Sequence, residues 1–458
     1  MEKVIMVEFN ELSPVLLHKW MGSGDLPNFK KLHDGAAVYT TVSDELEPSN
    51  MEPWIQWYSI HTGLPYSEHK VFHLTDGPRA DHLDIWRHLY LNGKKVWNCS
   101  SMNAKQFSYT SSTYLPDPWC TSESAYPVEL NKFHKFVSRQ VREYSSTSNG
   151  SKREVIEFVT FMMAHGLSFS GLKSILSQLL GEFQNDGETR WQRVAVLDRL
   201  LFDVFTHYYK KTSPDFSTFF VNSTAHLQHS YWRHMDPDKF TVKPPPGEIE
   251  QYSDAILFGY KKMDALLGDI AQLAGKHTRL IFATALSQQP YLKYEHIGGH
   301  HFYRPKDIEK CLDDLNIVRT SVQSVMTHQF LLSFSTLEEQ QSAKIKLQSL
   351  MFGGDQVFGF SDSEPLSLYF GCQLQRNLDV GGMVLSELES INDFRFGDQF
   401  YKIDALKSGG HHPDGCLWIQ SDKPSVFAEK VSILDIFPTV SKMFGISTDG
   451  MRGRALTS

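Results

Sequence analysis

Four stretches of the chain carry side chains suited to chemistry. Ala225-His226-Leu227-Gln228-His229 holds two imidazoles three residues apart, which meet on one face only if the stretch is helical. Gly409-Gly410-His411-His412-Pro413-Asp414-Gly415 sets two more side by side in a glycine-rich segment. Imidazoles joined by a carboxylate are ligands for zinc. Glu52 stands immediately before Pro53. A carboxyl buried away from cations keeps its proton at higher pH than usual, which suits proton transfer. Finally, His296-Ile297-Gly298-Gly299-His300-His301-Phe302-Tyr303-Arg304-Pro305 reads as a loop whose Arg304 offers a planar cation to an anion.

Such residues need a scaffold. Val4-Ile5-Met6-Val7 is apolar on both faces, as in a buried parallel strand, and Asn10-Glu11-Leu12-Ser13-Pro14 follows its carboxyl end. Phe216–Val221 and Leu280–Leu286 read as further core strands, and Lys94–Asn98 as a short one. Helices are expected from Pro14, within Leu26–Leu32, across Trp54–His61 with Gly63 as the stop, and over Glu248–Lys276. A last helix starts at a Ser432 cap, carries Ile433, Ile436, Val440 and Phe444 as a stripe, and ends at Gly445. Strands alternating with helices predict an α/β fold, one mostly parallel central sheet with helices on both faces. Sites in such folds lie beyond the carboxyl ends of the strands. The chain reads as one domain over residues 1–458. Residues 103–215, framed by Ser/Thr clusters at 107–113 and 145–151, read as an inserted helical cap. Residues 325–400, with a strand at Phe330–Phe334 and helical spacing over Thr336–Met351, read as a small α+β insertion.

Composition narrows the classes. A chain of 458 residues with 41% hydrophobic content can bury a large core. Its net charge of −8 argues against a phosphate-tracking nucleic-acid surface. Cys99, Cys120, Cys311, Cys372 and Cys416 are widely spaced and form no CxxC pair, which suits reduced, buried thiols. Met1-Glu2-Lys3 leads straight into a strand-length apolar run, unlike a secretory signal. No stretch approaches the about 18 apolar residues of a membrane span. A cytoplasmic location is the expectation.

Three stretches together resemble the alkaline phosphatase superfamily, above all its type I phosphodiesterase and sulfatase-like branches. The first runs from Val4 through Leu32, with Leu26-Pro27-Asn28-Phe29 and then Gly35. The second is Pro53 through Pro65, containing Thr62-Gly63-Leu64-Pro65, with His69 four residues on. The third is the ending, Asp435-Ile436-Phe437-Pro438-Thr439, then Phe444-Gly445-Ile446 and Gly453-Arg454.

The resemblance implies a hydrolase with two divalent cations, held by hard anionic oxygens and imidazoles that polarise an ester and activate a nucleophile. The chain departs from that pattern at most acidic positions. Asn10 stands where a carboxylate should end the first strand. Counting back from Thr62-Gly63, the nucleophile falls at Pro53 or Glu52, with Ser49 the nearest hydroxyl. An Asp-His pair is replaced by Ala285-Leu286-Ser287-Gln288. An Asp-x-x-x-His segment becomes Ala225 to His229, and the late histidine is His411 or His412. A normal two-metal centre is therefore not expected. Either no metal is bound, or a single divalent ion, zinc first, is held by His229, by His412 or its neighbour His411, and by His226 or a carboxylate. Glu52, His229 and Asn10 are the catalytic candidates. Gln56, Asn222, Gln228, Ser287, Gln288 and Arg304 are expected to line the substrate pocket.

Each candidate has a structural alternative. Glu52 before a proline can simply charge a helix N-terminus. His226 and His229 can be satisfied structural histidines, and His300-His301 ordinary loop polarity. Three functions follow. One is a hydrolase or transferase acting on a phosphate or sulfate ester, with a small-molecule or glycan substrate that includes sugar-linked esters. The second is an inactive relative that binds a glycan or anion. The third is a metal-independent enzyme using Glu52 and His229 as an acid/base pair.

Overall fold

Lys3–Phe9 folds as a strand in which every residue after Lys3 is buried. The computed structural model describes residues 3–47, 50–74, 76–107, 112–142, 152–185, 188–325, 328–361, 365–403 and 406–457; Ser49 lies outside them. The strand pairs in parallel with Phe216–Val221 on one side and with Thr278–Ala283 on the other. Beyond Phe216–Val221 come Val96–Cys99 and Ser112–Leu115, again parallel. Beyond Thr278–Ala283 comes Asp414–Gln420, which runs against its neighbours, and then Ala36–Val42. The sheet is thus mostly parallel, as the apolar runs predict.

Period-two alternation splits the core between the two faces of the sheet. Ile5, Val7 and Phe9 pack with Trp20, Phe29, Phe205 and Met263 on one face. Val4 and Met6 pack with Trp57, Trp86, Ile436 and Val440 on the other. Each such side chain contributes roughly 1.5–3 kcal/mol by leaving water. The first face is covered by the helices Pro14–Gly22, Pro27–Asp34, Arg193–Thr212 and Ala255–Ala274, the second by Pro53–Thr62, Ile85–Leu91 and Ile436–Met443.

Two expected elements differ in extent. The Glu248–Lys276 helix divides into Pro246–Tyr252 and Ala255–Ala274, with Ser253-Asp254 turning the chain between them. Ser and Asp compete with the helix backbone and favour such turns. The Leu280–Leu286 strand stops at Ala283, and Ser287–Pro290 leaves the central sheet to pair antiparallel with Gly409–His412. Ser287, Gln288 and Gln289 are polar, so they cannot continue a strand that is apolar on both faces. This small ladder becomes part of the site platform.

Within 103–215, Ser112–Leu115 is an edge strand of the central sheet, followed by helices Asn131–Arg142, Lys152–Ala164, Phe169–Gln184 and Arg193–Thr212. Within 325–400, Gln329–Ser333, Phe358–Ser361 and Ser367–Cys372 form an antiparallel sheet with Ser321–Ser324. They gather a separate apolar cluster around Phe330, Phe358, Phe370 and Phe396.

One glycine fixes the start of the site. Gly63 ends the helix Pro53–Thr62 at φ 65°, and a Cβ there would stand 2.6 Å from Phe437. Only glycine lets that helix seat against the C-terminal one.

Candidate metal and catalytic centre

Three strand ends deliver the site. Lys3–Phe9 leads into Asn10-Glu11, Phe216–Val221 into Asn222 and the helix Ser223–Met235, and Thr278–Ala283 into the Ser287–Pro290 ladder. Glu52 caps the start of the helix Pro53–Thr62 without spending its carboxylate on that helix. These are the carboxyl ends of the parallel strands, where open α/β sheets place ligands.

Glu11 is the hub. It sits at φ 60°, a left-handed conformation that is uncommon for a side chain of this size and is held by its surroundings. Its Oε2 lies 3.2 Å from His229 Nε2 and 3.5 Å from His411 Nε2. The ligand atoms of the three residues all fall within 4.8 Å of one another, the one such group among the described residues. His229 Nδ1 lies 2.9 Å from the Gly409 carbonyl, which can only accept, so that nitrogen carries the proton. In the neutral ring, Nε2 then presents a lone pair to a carboxylate. Two electron pairs face each other there unless a proton or a cation lies between them. A second glycine makes the approach possible: a Cβ on Gly409 would stand 2.2 Å from Gln288 Oε1 and 2.5 Å from the Gln228 carbonyl.

The amides around Glu11 are spent on holding it. Gln288 Nε2 donates to Glu11 Oε2 at 2.6 Å and to the Ala225 carbonyl at 3.0 Å. Gln228 Nε2 donates to the Glu11 carbonyl at 2.8 Å and its Oε1 accepts from Tyr260. Asn10 Nδ2 donates to Glu11 Oε1 at 2.8 Å and to Asn222 Oδ1 at 2.6 Å, while its Oδ1 accepts from Trp57 Nε1.

Burial alone would push the Glu11 carboxyl up. The charges of His411 and His229, with hydrogen bonds from His229 and Gln288, outweigh it and take the pKa down to about 2. Glu52 shows the opposite balance. Burial raises it to about 7, Lys407 opposes that rise, and Glu11 adds to it. Its Oε2 lies 3.6 Å from His411 Nδ1. Burial also takes His411 down to about 3, against the pull of Glu11 and with the help of Lys407.

Lys407 ties a basic, aromatic wall to this centre. Its Nζ lies 5.0 Å over the Tyr291 ring. Burial, aided by the Lys407 charge, takes His300 down to about 3 and His328 down to about 4. His300 packs 4.5 Å from Tyr294 and 4.3 Å from Phe302, whose ring lies 4.7 Å from His328.

Of the residues singled out in the sequence, the structure brings Glu52, Asn10, Asn222, Gln228, His229 and Gln288 together around Glu11. It places His411, not His412, in the cluster. Successive strand residues point to opposite sides, so only one of the pair can face inward. His412 Nδ1 instead accepts the Asp414 backbone N–H at 3.1 Å. His226 shares the helix of His229 but stays outside the group of three, and burial takes it to about 4. Ser287 is buried in the ladder opposite His412. Gln56 is buried and accepts the Asp44 backbone N–H at 2.9 Å. Arg304 donates to Ser324 Oγ at 2.7 Å and lies 4.9 Å over Phe330. Glu11 and Lys407 were missed. The available signal for Glu11 was a carboxylate directly after the first strand, one residue past the position the resemblance singled out.

A mostly parallel sheet with two imidazoles and a carboxylate meeting past its strand ends defines an α/β fold with a candidate metal-binding centre. More narrowly, the chain belongs to the type I phosphodiesterase / nucleotide pyrophosphatase family, whose model matches residues 4–327. Its class of reaction is the hydrolysis of phosphate esters. No curated protein sequence gives a match. Solved structures aligned with it include the alkaline phosphatase PafA, at 12% identity over 100% of this chain and 98% of that one, with a TM-score of 0.46. Human ectonucleotide pyrophosphatase / phosphodiesterase 5 aligns at 9% identity over 99% and 97%, with a TM-score of 0.43. Phosphonoacetate hydrolase from Sinorhizobium meliloti aligns at 11% over 95% and 94%, with a TM-score of 0.41.

Proposed function

We propose that the protein hydrolyses a phosphodiester or pyrophosphate linkage at a centre where Glu11, His229 and His411 hold one divalent cation, zinc in the first place. The observation that carries this reading is the convergence of both Nε2 atoms on Glu11 Oε2, with His229 fixed in the tautomer that leaves its lone pair inward. Two imidazoles and one carboxylate are a known catalytic zinc set. The two-cation arrangement of the family does not fit. Asn10 is committed to three hydrogen bonds, and Ser287 and Gln288 supply no carboxylate where a second ion would need charge.

A cation bound there supplies Lewis acidity toward a phosphoryl oxygen. The chain does the rest. Asn10 and Gln288 orient Glu11, and Gly409 fixes the His229 ring. Lys407 attracts the negative charge of the phosphate. Glu52, whose Oε2 lies 3.6 Å from His411, is the base in this reading: the water oxygen bonds phosphorus, the ester oxygen leaves with its electron pair, and the water's proton passes to the Glu52 carboxylate.

The Glu52–His411 contact favours a second reading, acid/base chemistry without a metal. A panel comprising an aryl phosphodiester, a dinucleotide pyrophosphate, a sugar phosphate and an aryl sulfate, assayed with zinc and after chelation, separates the two. Turnover of the diester or pyrophosphate that vanishes on chelation and in Glu11→Gln is the expected result. Turnover that survives chelation but is lost in Glu52→Gln supports the second reading. Binding without turnover on every member sinks both.

A further inference from the structure

The helix Phe169–Gln184 packs on Arg193–Thr212 and turns its other side to solvent. On that side Phe169, Leu172, Leu176, Leu179, Leu180 and Phe183 are 83%, 43%, 51%, 57%, 59% and 86% exposed. Single exposed leucines are ordinary, but a contiguous row of this kind marks an interaction site. At 100° per residue all six fall in one stripe about 100° wide. Positions 169, 172, 176, 179 and 183 follow the heptad spacing of a seam that packs against a second helix.

Apart from Leu179, whose mirror position is Lys173, the row also reads the same in both directions. Phe169 and Phe183 lie seven residues either side of Leu176, and Leu172 and Leu180 lie four either side. Two such helices laid antiparallel put Phe against Phe, Leu against Leu, and Leu176 against its own copy. Self-complementarity of this kind is what a twofold interface requires. We propose that this face joins two copies of the chain, paired through antiparallel Phe169–Gln184 helices about a twofold axis at Leu176.

Area and charge favour this occupant. With side-chain areas of about 150–250 Å², the exposed fractions amount to on the order of 700 Å² per copy, near the ~800 Å² that one partner gives to a standard interface. A lipid surface would call for a polar face rich in Lys and Arg. This helix carries Lys173 and Glu182, and Glu182 is already engaged by Arg193. The pairing does not depend on how the Glu11 centre is read.

Light scattering on the purified chain should give twice 52.4 kDa, and Leu176→Glu should halve it with circular dichroism unchanged. The five native cysteines are all buried, so an introduced thiol reports alone. Leu176→Cys, on the axis, should cross-link to itself under mild oxidation. Lys173→Cys should not, because its two copies stand about 9 Å apart along the helices, beyond the ~7 Å reach of a disulfide. A monomeric wild type, a dimer that persists in Leu176→Glu, cross-linking at 173 but not at 176, or a monomer that sediments with anionic vesicles would each overturn the proposal.

Discussion

Glu11 Oε2 stands 3.2 Å from His229 Nε2, and because Nδ1 donates to the Gly409 carbonyl, a neutral ring would leave no hydrogen between them. The contact is favourable only with a positive charge inserted, and His411 Nε2 closes the same space at 3.5 Å. Purified protein equilibrated with zinc and desalted should therefore retain one equivalent by elemental analysis. Glu11→Gln and His411→Ala should each weaken retention by about 100-fold or more. His412→Ala should leave it unchanged, because that ring is turned to the Asp414 backbone. Equal losses in His411→Ala and His412→Ala would contradict the assignment.

Gln288 touches no third ligand, yet it sets the aim of the first. Its amide donates to Glu11 Oε2, the oxygen that faces both histidines. Outer partners of this kind typically change metal affinity by about 10–100-fold. Gln288→Ala should show a loss in that range by competition with a chromophoric chelator, with the folded state intact by circular dichroism. Gln288→Glu places a second carboxylate beside Glu11 and should instead tighten cation binding. An alanine variant with wild-type zinc affinity would show that Glu11 is held without it.

Much of this scaffold was written in local pattern. Val4–Val7 and Phe216–Val221 are apolar on both faces and fold as adjacent parallel strands. Gly63 and Pro53 bound their helix because each has a backbone that the boundary demands. Ser112–Leu115 escaped notice, since a four-residue edge strand of Ser, Thr, Tyr and Leu has no clear period. The site was legible as a neighbourhood and not as a ligand set. The pattern offers Gln228 and Gln288 as polar lining for a substrate and Asn10 as a catalytic group, whereas all three hold Glu11. Which of His411 and His412 faces inward depends on strand register with Ser287–Pro290, a long-range pairing that adjacent identical residues cannot encode. Lys407 acts through the fold of a segment with no motif at all.

Lys407 offers the positive charge felt at both Glu52 and His411. An anionic substrate entering between them should lose most of its long-range attraction in Lys407→Met. The expected outcome is a rise in KM of about tenfold or more, with a smaller change in kcat and a flatter dependence on ionic strength. A neutral aryl ester, if turned over, should be indifferent to the change. A variant that loses kcat alone would assign Lys407 to the chemical step.

Asp198 links the site helix to its neighbour, and its titration should show in stability. It lies on the helix Arg193–Thr212 and accepts from the Ser223 hydroxyl at the first turn of Ser223–Met235, the helix that carries His229. Burial raises its carboxyl to about 7, and the Ser223 hydrogen bond only partly offsets this. In the unfolded chain the group has an ordinary carboxylate pKa near 3.9. Between these values the folded state binds a proton that the unfolded state releases. Its contribution is therefore fully present at pH 4 and falls steadily as pH rises through about 7. The side-chain amide of an Asp198→Asn variant cannot ionise, and its oxygen still accepts from Ser223. Asp84 and Asp117, both raised to about 6 by burial, tilt the two proteins alike, so the difference between them isolates residue 198. Urea unfolding at pH 5 and pH 8 should show the variant gaining on the wild type by up to about 3 kcal/mol at the higher pH. Parallel stability curves across that range would mean that Asp198 is ionised in the folded protein and that the tie to the site helix is a charged one.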